Sequence, residues 1–344
     1  GAVLLPPRME SQFKSSAGSI GVWGQPARAA RERALGTQAG NQPGRALLLD
    51  SNAIAYRAHF AFANVDMMTS AGEYTAVAYG YMNTLLTLLE EVPAYTHAIA
   101  VFDTRGKNFR HEMYSGYKAN RASMPEPLRD AMPRLQALLE ALGVPILAVP
   151  GVEADDVIGT LAMKFIGEGL HVDIASPDKD FMQLLQPGLR LLRPVRGSGS
   201  LSVYDEECFR NDFGGLTPNQ FIDKLALEGD SADNVPGVKG IGPVTAQKLL
   251  IEWGSLDSIL ENSEAAKPPR AKAMLSSQEG RDSALLSREL VTIRTALSSP
   301  QVEVPWEESR VGPPQDYPAL ARMLDDLELQ VHAQRIQRLW YPGY

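Results

Sequence analysis

The chain has 344 residues, 44% of them hydrophobic and 22% charged, with a formal net charge of −8. This is the composition of a soluble globular protein, long enough for one large domain or a domain with a small appendage. No apolar run is long enough to cross a bilayer, and the only cysteine, Cys208, excludes a disulfide framework and a cysteine-rich structural zinc site while fitting a reducing compartment.

Residues 1–45 are rich in Ala, Gly, Ser, Pro and Gln and carry six Lys/Arg against two acids. They read either as a disordered tail or as a basic, acid-poor transit segment that would direct the chain to a chloroplast or mitochondrion. The first residue is Gly, so the true N-terminus is not fixed by the sequence.

From residue 46 onward, short apolar runs alternate with helix-period stretches, which predicts an α/β fold with a mostly parallel sheet flanked by helices. A strand at 46–49 runs into Asp50. A helix follows at 73–92, then a strand at 98–102 that runs into Asp103. Residues 105–121, RGKNFRHEMYSGYKANR, carry five Lys/Arg and one acid, a local net charge of +4 within an acidic chain. Tyr114 and Tyr117 are interleaved with Arg105, Lys107, Arg110, Lys118 and Arg121, a mixture suited to phosphate contacts and base stacking on a single strand. The bland alternative is an exposed basic helix, on which Lys118 and Arg121 would share a face.

A helix at 128–142 leads to a strand at 145–149 and then to VEADDVIGTLA, where Glu153, Asp155 and Asp156 open a helix over 154–166. One acid there would complement the helix dipole; three in four positions exceed that need, because like charges so close repel. A strand at 172–175 runs through Pro177 into Asp178 and Asp180, two apart and on one side of an extended backbone. Further strand and helix patterns lie at 189–192 and 218–227. Asp230 and Asp233 follow in GDSAD, and then NVPGVKGIGPVTAQKLLIEWG places Gly237, Gly240 and Gly242 before a helix at 243–253. Those glycines match neither a Walker loop nor a dinucleotide fingerprint. A glycine turn at a helix N-terminus can offer backbone N–H groups to an anion, and the alternative is a tight helix–helix connection.

Of these nine carboxylates several thus fall at or just beyond strand ends, the edge where open α/β sheets bind ligands, and the others on adjoining helical turns. Singly, each reads as a solvated loop residue. Gathered together, they require either raised pKa values or bound cations. The five histidines are scattered without ligand spacing, so an all-oxygen donor set remains, which suits hard Mg²⁺ or Mn²⁺ rather than zinc or copper. Two such ions about 4 Å apart would serve phosphodiester cleavage without a side-chain nucleophile.

The motifs FRHEMYSGYKANR, GVEADDVIGTLA, ASPDKDFMQLL and LEGDSADNVPGVKGIGPVTAQKLLIEWGSL, in this order, resemble the 5′-nuclease domain of bacterial DNA polymerase I and the wider flap endonuclease family. The similarity runs over roughly residues 46–296, with weaker likeness at LELQVHAQRIQRL. It implies a PIN-like catalytic domain over 46–215 with a helical arch at about 104–130. A helix–hairpin–helix region over 216–296 and a C-terminal extension over 297–344 would complete it. It implies Asp50, Asp103, Glu153, Asp155, Asp156, Asp178, Asp180, Asp230 and Asp233 as ligands, direct or through water, of two or more divalent ions. Lys118, Arg121 and Arg110 would act at the scissile phosphate. Tyr117, Arg105, Lys107, Gly237, Lys239, Gly240 and Gly242 would contact DNA, with K⁺ held at the hairpin.

The implied activity is 5′-3′ exonuclease and flap endonuclease cleavage in replication or repair, by a monomer acting on DNA with 5′ ends, flaps or branches, RNA–DNA hybrids included. The chain stops at Tyr344, which suggests a stand-alone nuclease similar to organellar proteins of plants and algae. Three rivals bear on the reading. A haloacid-dehalogenase-type phosphatase needs an acid where Asn52 stands; a PIN-type ribonuclease and a non-catalytic binder of branched DNA stay open.

Overall fold

A computed structural model of the chain describes residues 43–92, 94–194, 201–298 and 302–341. The tail expected over 1–45 therefore lies outside the described residues up to residue 42.

Among the described residues, β1 (Arg45–Asp50), β2 (Tyr95–Val101), β3 (Ile146–Leu147), β4 (His171–Ala175), β5 (Leu189–Pro194) and β6 (Leu201–Tyr204) form one sheet in the order β3-β2-β1-β4-β5-β6. All neighbours are parallel except β5 and β6. The strand sequences explain the placement. A parallel strand covered by helices on both faces has no polar side, so it reads as a continuous apolar run. In β1, Ala46 and Leu48 enter one buried cluster while Leu47 and Leu49 enter the other, on the opposite face.

The first face carries α1 (Ser51–Ala61), α2 (Ala76–Glu91) and α4 (Glu126–Leu142), whose Tyr81, Leu85, Leu86, Leu135 and Leu139 are buried with Leu47 and Leu49. Between α2 and α4 lies the five-residue α3 (Phe109–Met113). The second face carries α5 (Ala154–Gly167), from which Val157, Ile158, Leu161 and Phe165 pack down. That core continues without a break past α6 (Glu206–Asp212) into α7 (Pro218–Glu228), α8 (Pro243–Trp253), α9 (Leu256–Glu261), α10 (Pro269–Leu275) and α11 (Gln278–Val291). The hairpin region expected over 216–296 thus shares one hydrophobic core with the sheet. Helices α12 (Tyr317–Asp326) and α13 (Gln330–Trp340) bury Leu320, Leu324 and Ile336 against the first face.

Several expectations are corrected. The strand expected at 145–149 keeps two residues, because it pairs with β2 only at Ala100 and Val101. The earlier part of β2 is paired instead by the C-terminal segment, with Ala98 N donating to Ser309 O at 2.8 Å and Val311 N to Thr96 O at 2.9 Å. The antiparallel β6 was not expected. The segment expected as a helical arch, about 104–130, is helical in α3 and again from Glu126, where α4 begins; between them residues 115–120 are turns and 121–125 carry no regular structure. Lys118 and Arg121 do not share a helix face, since Lys118 takes a left-handed φ of 53°. Its N–H reaches Asp233 O at 2.9 Å, so this turn is docked on the loop that carries Asp230 and Asp233.

Candidate metal centre

The strand order reverses between β1 and β4, and the crevice beyond such a reversal is where open α/β sheets receive ligands. Asp50 ends β1 and also caps α1, its Oδ1 accepting from Ala53 N at 3.3 Å. Its Oδ2 accepts from the Ser176 hydroxyl just past β4 at 2.6 Å, so the two central strands are joined through this carboxylate. Asp103, beyond β2, accepts from Ala154 N at 2.9 Å, at the N-terminus of α5. Glu153 and Asp155 stand at that same helix start. After β4, Asp178 accepts from Asp180 N at 2.9 Å, which turns the chain into a short 3-10 helix over Asp180–Leu184. Asp230 and Val235 exchange backbone hydrogen bonds and close a tight turn that carries Asp233, whose side chain is partly buried. A pocket lined by Tyr117, Glu153, Asp155, Asp180, Asp230 and Asp233 joins the sheet edge to that turn.

The electrostatics divide these acids into two groups. Burial, with Asp178 and Asp103 nearby, pushes the Asp50 carboxyl up to about 7. Burial and the Asp178 charge raise Asp155 and Asp180 well above the ordinary carboxylate range, and burial raises Asp178 too. Burial would raise Glu153 and Asp230 likewise, but cations outweigh it, Lys118 and Arg110 at Glu153 and Lys179 at Asp230, so both stay below their usual values. The distances agree: Lys118 Nζ lies 2.7 Å from Glu153 Oε1 and 3.7 Å from Asp233, Lys179 Nζ lies 2.8 Å from Asp230 Oδ2, and Arg121 pairs with Asp233.

As the side chains stand, no three acids or histidines among the described residues converge on one point at ligand distance. Like charges spread, and the three cations claim the oxygens at the hairpin side. The donor chemistry nevertheless fits a hard divalent ion. Asp180 Oδ1 is buried without any hydrogen-bond partner, and an orphaned carboxylate oxygen beside other ionisable acids is costly unless a cation meets it.

Four expected site residues have other roles. Arg110 is 2% exposed and spends all five donors internally. Nε reaches Leu290 O at 2.8 Å, Nη1 reaches Glu153 at 3.0 Å and Asp156 at 2.7 Å, and Nη2 reaches Asp156 at 2.8 Å and Thr292 O at 2.7 Å. No donor is left for a phosphate, so Arg110 joins α3, α5 and the end of α11 rather than acting on substrate. Asp156, fully buried, is held by that fork and by Arg294 N at 2.8 Å, which leaves it no free face for an ion. Tyr117 is 4% exposed and donates to Glu153 Oε2 at 3.1 Å, so it orients a carboxylate and offers no open ring for a base. Gly237 is buried, with N–H given to Ser287 and C=O accepting from Ser283. A Cβ there would lie 2.4 Å from Gly229 N, so this glycine permits close backbone packing rather than DNA contact.

Lys239 and Gly240 remain exposed, Gly242 caps α8, and Arg105 and Lys107 are exposed beside Asp103. The sequence reading missed Asn108, whose Nδ2 donates to Glu153 Oε1 at 2.8 Å, and Arg270, which lies over Gly240 at the exposed hairpin. It also missed Lys179; its position between Asp178 and Asp180 was the available signal.

Residues 45–214 match the sequence model of the 5′-3′ exonuclease N-terminal resolvase-like domain, and residues 216–317 that of the 5′-3′ exonuclease C-terminal SAM fold. DNA polymerase I of Chloroflexus aurantiacus is 39% identical over 296 residues, which cover 85% of this chain and 30% of that protein. The thermostable DNA polymerase I of Thermus aquaticus is 41% identical over 254 residues, 74% of this chain and 29% of that one. The chain thus spans about 30% of the length of these curated relatives. A solved T5 5′-exonuclease with divalent zinc bound has the same fold, with a TM-score of 0.60 at 20% identity over 86% of this chain and 99% of its own.

Proposed function

The chain belongs to the 5′-3′ exonuclease family, and on that premise we propose that it hydrolyses DNA phosphodiester bonds near 5′ ends and flaps, giving 5′-phosphate and 3′-hydroxyl products. The observation that carries this reading is the gathering of acids from five chain segments at the switch point, with an unpartnered buried oxygen on Asp180 among them. Asp50, Asp103, Glu153, Asp155 and Asp178 would hold one Mg²⁺ or Mn²⁺, and Asp180, Asp230 and Asp233 a second, directly or through water. Such ions supply Lewis acidity at the phosphate and lower the pKa of water.

The protein's own residues do the rest. The Ser176 hydroxyl and Ala53 N–H fix the Asp50 carboxylate in its rotamer. Asn108, Arg110 and Tyr117 hold Glu153. Lys118 and Arg121 now neutralise Glu153 and Asp233. Once divalent charge takes over that task, both cations are free to bind the scissile phosphate and oppose the charge that develops on it. Lys239, Arg270 and the N–H groups at the start of α8 form a surface for the duplex backbone, where contact needs no base reading. Replication or repair, with primer or flap removal, is the setting this chemistry suits.

A labelled 5′-flap duplex, incubated with Mg²⁺ or with chelator, tests the reading. Wild type should cleave only with Mg²⁺, and Asp180→Asn should bind the flap yet leave it intact. Full cleavage by Asp180→Asn would sink the metal assignment. Binding without product would favour a structural DNA binder, and cutting confined to an RNA flap a ribonuclease.

A further inference from the structure

Among the described residues, Lys179 is the one cation at the centre that the proposed chemistry leaves without a task. It lies between two candidate ligands, yet it reaches away from both, to Asp230 Oδ2 at 2.8 Å. The other oxygen of Asp230 accepts from Ala232 N at 2.7 Å. Both oxygens of this acid are therefore engaged before any ion arrives, while the neighbouring Asp180 keeps an oxygen with no partner. The contrast is between two acids of one pocket, and it follows from where a single ammonium is tethered. The geometry also separates Lys179 from Lys118 and Arg121. Those two ride on the turn after α3, whereas Lys179 is fixed to the sheet edge by the chain joining β4 to the 3-10 helix.

We propose that Lys179 is a tethered counter-cation that competes with a divalent ion for Asp230 and thereby weakens binding of the second ion in the DNA-free protein. This inference rests on the metal-centre reading above. An ion that uses Asp230 Oδ2 must displace the ammonium. Asp230 is 8% and Lys179 36% exposed, so the pair is neither a fully screened surface bridge nor a buried one. Removing the competitor is expected to tighten the weaker site about tenfold, equivalent to about 1.4 kcal/mol.

The test is calorimetric Mn²⁺ titration of the DNA-free full chain, with no turnover involved. Lys179→Met should bind the weaker Mn²⁺ about tenfold more tightly than wild type, whereas Lys179→Arg, which keeps a cation against Asp230, should stay within about twofold. Lys179→Gln serves as a second neutral variant, and all three are checked for the wild-type melting temperature without metal. Equal affinity in wild type and both neutral variants, weaker binding in them, or equal tightening in Lys179→Arg overturns the proposal while leaving the metal centre intact. A wild-type chain that takes up no Mn²⁺, with Asp180→Asn indistinguishable from it, overturns the centre itself and this inference with it.

Discussion

Truncating Arg110 to alanine would remove a fully satisfied guanidinium from a site where only 2% of it meets solvent. Asp156 would keep one donor, Arg294 N, and the Leu290 and Thr292 carbonyls would lose theirs. Breaking a buried ion pair from one side costs about 3–5 kcal/mol, and each orphaned buried acceptor adds roughly 1–3 kcal/mol, with incomplete additivity. A total of about 5 kcal/mol is the expectation, which for a chain of this size corresponds to a fall of roughly 8 °C in melting temperature. Urea unfolding and thermal melts read it directly. Pairing Arg110→Met with Asp156→Leu should recover much of the loss, since apolar replacement of both partners of a buried pair is often neutral. The opposite result is equally clear. If Arg110→Ala melts with wild type and loses only cleavage, then the guanidinium serves the substrate and its role as a clamp is wrong.

The remaining predictions concern charge and backbone. Asp50 is raised to about 7 in the folded chain, so the unfolded state ionises first, and metal-free stability is lost as pH rises from about 4 through about 7, on the order of 4 kcal/mol for this group. Denaturation in chelator at pH 5 and pH 8 checks the sign; equal stability would contradict it. At pH 7.5, Mg²⁺ at about a hundred times its Kd should stabilise the fold by about 2.7 kcal/mol, and an unchanged melting temperature would mean the carboxylates hold no ion. Gly237→Ala faces both a φ of +61° and a Cβ 2.4 Å from Gly229 N, so it should lower stability by more than about 1 kcal/mol. Gly242→Ala has an extended φ of −105° and no atom within 4 Å of its Cβ, and should be tolerated.

The sheet and its acid-bearing edge were legible because the information is local. A parallel strand buried on both faces writes itself as an apolar run, and the acid that follows marks its end. Asp50, Asp103 and Asp178 were placed this way. What stayed hidden depends on contacts distant in sequence. Arg110 sits in a basic segment that reads as exposed, and its partner Asp156 lies 46 residues on, in a helix turn that reads as ligand-rich. Nothing local says that the two acids flanking Asp155 part company, Asp156 into the core and Glu153 toward the pocket. The turn at Lys118 escaped for the same reason, since its left-handed backbone is fixed by a carbonyl of the Asp233 loop. The short antiparallel β6 has too few residues for its period to register.

The contact between Gly229 and Gly237 has a consequence for how substrates would be measured. Gly229 immediately precedes Asp230, and Gly237 opens the exposed turn that carries Lys239 and Gly240, so the grip on a duplex and the acids beyond it are spaced by two backbones touching without side chains. Such a contact acts as a ruler with almost no slack. Under the proposed function, incision would fall at a fixed number of nucleotides from a junction, and anything that pried those two glycines apart would blur the position of the cut before it slowed the cutting.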